Sequence, residues 1–435
     1  MFKKILAFGV LIAALVGGGS YLIGHNGTTT KAEVYKTPEE SDAYVRFDME
    51  AYDKIRQNFW ASTTEQGLAQ HFQLSLQKAL NTPVAPALAT EDRVGTAKMI
   101  ADAMKTATST DLKKQLALNT LIVALYNLPP VSHNALLSSK EETALRQNVS
   151  NVNPGKDLYQ DLGLAKGATD ADIKKAYDAR TLALKNATSS EAQAELKQIA
   201  YAKDVLTNPN TRDLYDAAKI EPTMFHKVFG KTLYIDMTKV SPTSFVEFGR
   251  TILAASTTPG LDSLILDLRG NLGGALDFAQ NFLGLFIGYN ADAFDLFHQG
   301  DLVPQRTVQN KFDELSRYKE IALLTDNMTQ STAEVTTAAM KRFNLAHVVG
   351  DTTRGWGTVE NTFPLTTVID PNEKYSMLLV HSLTIRDDGQ PIQDNGVIPD
   401  VSIKDPKWKD KLSNYFRTPD LIAALKKVAA EAPQK

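Results

Sequence analysis

Between Glu221 and Ile403 the chain alternates short apolar runs with longer amphipathic ones, an order that few architectures accept. KTLYIDM, LDSLILDLRG and IALLTD each read as a buried strand. The stretches between them, SPTSFVEFGRTILAAS and GALDFAQNFLGLFIG, repeat their apolar residues at helical spacing. Strand, helix, strand, helix at this interval predicts a parallel or mixed sheet covered by helices. YSMLLVHSLTI and GVIPDVSI add two strands around Asp387-Asp388-Gly389, an ordinary turn signal. Paired acids without a second ligand cluster give no reason to expect a metal.

Two stretches inside this region carry chemistry. Ile321 to Glu360 reads as a buried strand (Ile321 to Leu324), a polar turn, a helix opening at Ser331, a short strand (His347 to Val349) and a glycine-rich loop. A serine at the first turn of a helix, delivered by a strand end, is one way to expose a nucleophile. Ser331-Thr332-Ala333-Glu334 is equally a capping box, in which the serine only satisfies amides at the helix start. The second stretch, Leu266 to Gly274 (LDLRGNLGG), takes a strand end into a glycine-rich turn. It lacks the GKS/T and G-x-G-x-x-G fingerprints of nucleotide sites. Glycines there can instead let backbone amides approach a developing oxyanion.

Taken together, SLILDLRGNLGGALDFAQNFLGLFIG, ALLTDNMTQSTAEV, VVGDTTRGWGTVE and LTIRDDGQPIQDNGVIPDVSI resemble, in order and spacing, the protease core of the C-terminal processing (tail-specific) serine peptidases. The resemblance implies Ser331 as nucleophile, with oxyanion amides from Thr332 and from Gly273 or Gly274. It also implies a general-base lysine at the position that Trp356 occupies here. A serine hydroxyl without a base is a poor nucleophile. Arg354 cannot supply one, because guanidinium does not deprotonate in proteins, and Lys341 lies too far around its helix. His381 sits on a strand that the family pairs near the lysine loop, and Glu360 stands where the family has the glutamine that orients the lysine. This coincidence predicts a Ser331, His381, Glu360 triad in which the carboxylate fixes the imidazole tautomer. His226 is the second candidate base. The competing reading makes His381 a half-buried strand residue and Glu360 a surface one. Asp267 and Arg269 are expected to serve the fold.

Upstream, DLYQDLGL, IKKAY and LTNPNTRDLYD resemble a J-domain, with Thr169 and Asp172 as a helix start. Where that family carries its His-Pro-Asp tripeptide the chain reads Asn186-Ala187-Thr188. The resemblance therefore implies the fold and a packing or protein-docking role, without stimulation of a chaperone ATPase. It also leaves no strand-rich PDZ module, which the peptidase family usually places before its core. Further upstream, Tyr44, Phe47, Ala51, Tyr52, Ile55 and Phe59 recur at helical spacing, and helices follow near 67–80, 90–105 and 111–126. At the N-terminus two lysines precede about twenty uncharged residues, near the length that spans a bilayer. This is a signal anchor or a signal peptide, and the lysines would keep that end cytoplasmic and the body outside.

The expected organisation is multidomain. It comprises a membrane helix or signal peptide (1–24), a linker (25–37), an all-α domain (38–150), a J-like domain (154–218), an α/β protease core with a mixed sheet (221–405) and an exposed helical tail (406–435). A cysteine count of zero excludes disulfides, thiolate catalysis and Cys-type zinc sites. A net charge of −3 leaves no footprint for nucleic acid. The expected function is a cofactor-free serine endopeptidase acting on exported or membrane-associated polypeptides. The alternative is a catalytically silent scaffold that binds polypeptides or partner proteins through the same cleft and the J-like module.

Overall fold

The computed structural model describes residues 35–386 and 388–431. The proposed membrane segment, 1–24, lies outside them. Among the described residues no helix is long and apolar enough to cross a membrane.

The N-terminal helices are α1 (Ala43–Asn58), α2 (Glu65–Ala79), α3 (Arg93–Met104) and α4 (Thr110–Asn127). Each begins at a side-chain cap; Asp42, for example, accepts from the Tyr44 N–H at 2.9 Å. Their apolar faces do not close on one another alone. Leu365, Ile369, Met377, Leu379, Val380 and Leu383 belong to the same core cluster. These residues were expected in the protease core, so the boundary near 150 does not separate two hydrophobic cores. The reason is a second sheet. The short strand β1 (Ala135–Ser138) pairs with β10 (Tyr375–Ile385), which pairs onward with β5 (Asp292–His298), itself paired with β6 (Asp301–Arg306). β9 (Thr358–Pro364) also joins β10. The helices roof this sheet. After β1 the chain turns into α5 (Ser139–Val149).

The J-like segment forms α6 (Leu158–Asp161), α7 (Asp170–Leu184), α8 (Ser190–Thr207) and α9 (Pro209–Ala218) around its own small core of Tyr159, Ile173, Ile199, Leu206 and Tyr215. The cap read at the start of α7 is present: the Thr169 N–H bonds Asp172 Oδ2 at 3.1 Å. Its two ends are stitched together by an antiparallel bridge between Val152 and Ile220 and by the Glu221 N–H on the Asn151 carbonyl at 3.0 Å. The module is thus an excursion from a narrow neck.

The main sheet has the strand order β11-β8-β7-β4-β3-β2. β2 (Met224–Phe229) runs antiparallel to β3 (Thr232–Met237), while β3, β4 (Ser263–Asp267), β7 (Glu320–Thr325), β8 (His347–Gly350) and β11 (Val401–Ser402) are parallel. Such a sheet must be covered on both faces. One face packs α10 (Ser244–Ala255), α11 (Asp277–Ile287) and α12 (Thr332–Arg342). The other packs α13 (Trp408–Tyr415) and α14 (Pro419–Val428). This corrects the expected exposed tail: Leu421, Ala424, Leu425 and Val428 lie at helical spacing and are buried against Tyr234, Ile265 and Leu324.

Candidate active site

Parallel strands deliver their C-terminal ends to one edge of the sheet, and turns leaving that edge are where sites form in open α/β folds. Here the turns after β4 and β7 meet. Ser331 follows β7 at the mouth of α12 with φ 55° and ψ −129°, a backbone state that non-glycine residues avoid. The turn after β4 packs directly on it: a Cβ on Gly273 would stand 2.6 Å from Ser331 Cβ, so only glycine fits. The two segments are tied by the Gln330 N–H on the Asn271 carbonyl (2.9 Å) and by Thr332 Oγ1 donating to the Gly274 carbonyl (2.9 Å). The Gly273 N–H is taken by Asn271 Oδ1 at 2.8 Å. No acceptor is found among the described residues for the N–H groups of Gly274 and Thr332.

The capping-box reading of Ser331 is half right. Glu334 Oε2 accepts from the Ser331 N–H at 2.9 Å, while the Glu334 N–H goes to the Ser331 carbonyl oxygen at 2.8 Å. Glu334 does more than cap. Fully buried, it also accepts from Thr353 Oγ1 (2.5 Å) and the amides of Gly355 (2.7 Å) and Trp356 (2.9 Å). It therefore clamps the serine turn to the loop in which the family lysine was expected. Burial pushes its pKa up, against the pull of these donors.

Trp356, where the resemblance implied a lysine, forms an aromatic wall. Its ring stacks on His133, with centroids 3.9 Å apart and planes 22° apart. Its indole N–H points at Glu360 Oε1, 3.4 Å away. His133 Nδ1 lies 3.0 Å from Thr358 Oγ1 and 3.7 Å from Glu360 Oε1, and Thr358 Oγ1 donates to the same carboxylate oxygen at 2.5 Å. Strand pairing explains the meeting. Asn134 Oδ1 accepts from the Val380 N–H at 2.7 Å, and Glu360 lies opposite Val380 on β9. Anchoring β1 to β10 thereby sets His133 beside Glu360. A cleft of about 1190 Å³ is lined by Ser331, Gly273, Gly274, His133, Trp356 and Glu360, among others.

His381 is a correction. The β10 register shifts between Val380 and Ser382, and the His381 ring stacks on His298 at 4.2 Å with Nδ1 on Ser382 Oγ at 2.8 Å. It does not line the cleft that holds Ser331. The imidazole beside Glu360 belongs to His133, which the sequence reading passed over because PPVSHNALL shows neither periodicity nor a motif. His226 pairs opposite Ile235 on the edge hairpin and is likewise not on the cleft wall. Lys341 is engaged by Asp400 at 2.9 Å. Asp267 and Arg269 form the expected structural pair, at 2.6 Å and almost fully buried, with the Tyr234 hydroxyl on Asp267 at 2.8 Å.

Residues 231–403 match the model of peptidase family S41, and residues 157–216 match that of the DnaJ domain. The chain carries an S41 peptidase domain. Over 188 residues it is 31% identical to a probable CtpA-like serine protease of Staphylococcus aureus (strain N315), covering 42% of this chain and 36% of that protein. A protein of the same description from Staphylococcus epidermidis is 30% identical over 150 residues, covering 34% and 29%. The chain thus spans about a third of the length of the curated relatives it matches. Among solved structures it is similar to a photosystem II D1 C-terminal processing protease, with TM-score 0.47 and 12% identity over 83% of this chain and 93% of that one. A lipoprotein from Streptococcus agalactiae gives TM-score 0.45 and 14% identity over 88% and 99%. The S41 match begins at Lys231, so it leaves out His133, and the imidazole beside Glu360 comes from outside the matched segment.

One more carboxyl lines the cleft of the S41 domain. Asp236, near the end of β3, is 2% exposed, and among the described residues neither of its oxygens has a hydrogen-bond partner. Burial, with the charge of Asp267 added, pushes its pKa up to about 7; Arg269 and Lys227 pull the other way. A folded pKa above the unfolded value means that ionisation opposes folding. The penalty is absent below the ordinary carboxyl value of 3.8, grows as pH rises, and is complete above about 7. Asp236→Asn is therefore expected to raise stability at pH 8 by a few kcal/mol, at about 1.4 kcal/mol per pKa unit. The gain should shrink to nothing near pH 4. Urea denaturation of both proteins across that range checks it, and equal stability at pH 8 would refute the assignment.

Proposed function

We propose that this protein is a serine endopeptidase acting on exported or membrane-associated polypeptides, acylating at Ser331 with His133 as general base and Glu360 as its orienting carboxylate. The observation that carries this reading is the partnering of His133. Thr358 and Glu360 lie on its Nδ1 side, which leaves Nε2 for the cleft that Ser331 also lines. Nε2 takes the Ser331 proton as Oγ attacks the scissile carbonyl. The Gly274 and Thr332 amides receive the developing oxyanion. The imidazolium then protonates the leaving amine, and water enters by the reverse route to release the acyl group. Trp356 holds the imidazole by its face, a role different from the lysine it replaces. The positive φ of Ser331 supports the same reading, since backbone strain of this kind gathers where a side chain must be presented to substrate.

A fluorophosphonate probe is expected to label the full chain at one residue, mapped by peptide mass spectrometry to Ser331. Ser331→Ala should abolish both labelling and turnover of unfolded protein substrates. A chain that folds but neither labels nor cleaves would instead be the silent scaffold.

A further inference from the structure

Asp236 serves none of the roles above. The alternation of β3 sends Leu233, Ile235 and Met237 into the core beneath α10 and α11, so Asp236 falls on the opposite face with Tyr234. In register it lies between Phe225 on β2 and Asp267 on β4. Asp267 is satisfied by Arg269 and Tyr234, whereas Asp236 has no hydrogen-bond partner among the described residues. Most other charges on the cleft wall have partners nearby, though Lys197 on α8 has none among the described residues. Arg269 donates to Asp267 and to the Glu431 carbonyl (2.7 Å), Lys239 to Asn148 Oδ1 (2.6 Å), and Asp204 lies 3.1 Å from Lys203.

A buried carboxyl with no donor costs stability and packs nothing that an asparagine or leucine would not. Its unused acceptors call for a group that brings positive charge and N–H donors together. A metal ion would need more free ligands, and no group of three or more His, Cys, Asp or Glu among the described residues could hold one. An anion is repelled. Beside Asp236 the same wall carries Phe225 and, from α8 of the J-like module, Tyr201, with ring centroids 5.8 Å apart. The Tyr201 hydroxyl is fixed on Glu221 Oε2 at 2.5 Å. Rings next to a carboxylate suit a cation on an apolar stem, which lies along the aromatic surface while its head reaches the acid.

We propose that Asp236 is the counter-ion for a cationic group of the polypeptide substrate, a lysine or arginine side chain or a free N-terminal ammonium, seated against Phe225 and Tyr201. The inference rests on the reading of this cleft as a polypeptide site. It also gives the J-like module a part in substrate choice, through Tyr201.

Binding of short fluorescent peptides to the full-length Ser331→Ala protein tests it without relying on hydrolysis. The probes are one acetylated peptide carrying a single lysine, arginine or glutamine, and the glutamine peptide with a free N-terminus. At pH 8 at least one cationic probe is expected to bind about tenfold more tightly than the acetylated glutamine peptide, since only a cation gains the pairing with the acid. The acetylated and free forms tell side chain from terminus. Asp236→Asn, or Asp236→Ser should the first variant fold poorly, is expected to remove the preference and leave the glutamine affinity unchanged. Equal affinity for all probes overturns the inference, as does a preference that survives both substitutions. A retained preference in a chain that fluorophosphonate does not label would sink the peptidase reading alone.

Discussion

His133→Ala is expected to lower kcat/KM by about 10³ to 10⁴, while His381→Ala leaves it within about threefold of the wild type. The contrast follows from position. His133 has Thr358 and Glu360 on one ring nitrogen and shares a cleft with Ser331, whereas His381 is spent on His298 and Ser382. A base acts only within hydrogen-bond reach of the proton it removes, or through one water. The effect should fall on acylation. Fluorophosphonate labelling of His133→Ala should slow in parallel with turnover, with little change in KM. His381→Ala should instead show a modest loss of stability, from the ring stack and the half-buried hydrogen bond it gives up. The reverse ranking of the two variants would return His381 to the mechanism.

That contrast marks how far the sequence could be read. The alternation of KTLYIDM, LDSLILDLRG and IALLTD with two amphipathic runs was sufficient for the parallel sheet, because period and length act locally. The serine turn was legible for a related reason: strand, polar turn, capping box and glycine pair lie on two short stretches whose order restricts how they can meet. The J-like helices were visible through capping and periodicity. The second sheet was not. Its β1 is four residues long, and its β6, DLVPQR, is exposed and contains a proline, so neither presents an alternating pattern. Missing that sheet hid His133, which is set beside Glu360 by strand pairing across more than 200 residues that no local period encodes. It also misplaced His381, since an even alternation along YSMLLVHSLTI takes no account of the register shift at Val380 and Ser382. The tail helix was misread differently. Its apolar spacing was present, but a single amphipathic helix does not say which surface it covers.

Glu334→Gln is expected to be nearly as damaging as Glu334→Ala, each removing fluorophosphonate labelling and costing about 3 to 5 kcal/mol of stability by urea denaturation. The reason lies in the direction of the hydrogen bonds. The amides of Ser331, Gly355 and Trp356 can only donate. Thr353 Oγ1 accepts from the Val397 N–H at 2.7 Å, so its own proton is directed at Glu334. Four donors converge on two carboxylate oxygens, Thr353 and Gly355 on one, Ser331 and Trp356 on the other. Glutamine keeps one oxygen and turns an NH₂ toward two of the donors, which leaves those groups buried and unpaired at about 1 to 3 kcal/mol each. Alanine leaves all four unpaired but adds no clash, and water can enter the space. A protein in which Glu334 merely filled volume would accept glutamine with little loss, and that outcome would remove the clamp between the serine turn and the Trp356 loop. With the clamp gone, the strained φ of Ser331 is expected to relax once its N–H is released, so that labelling is lost before the fold.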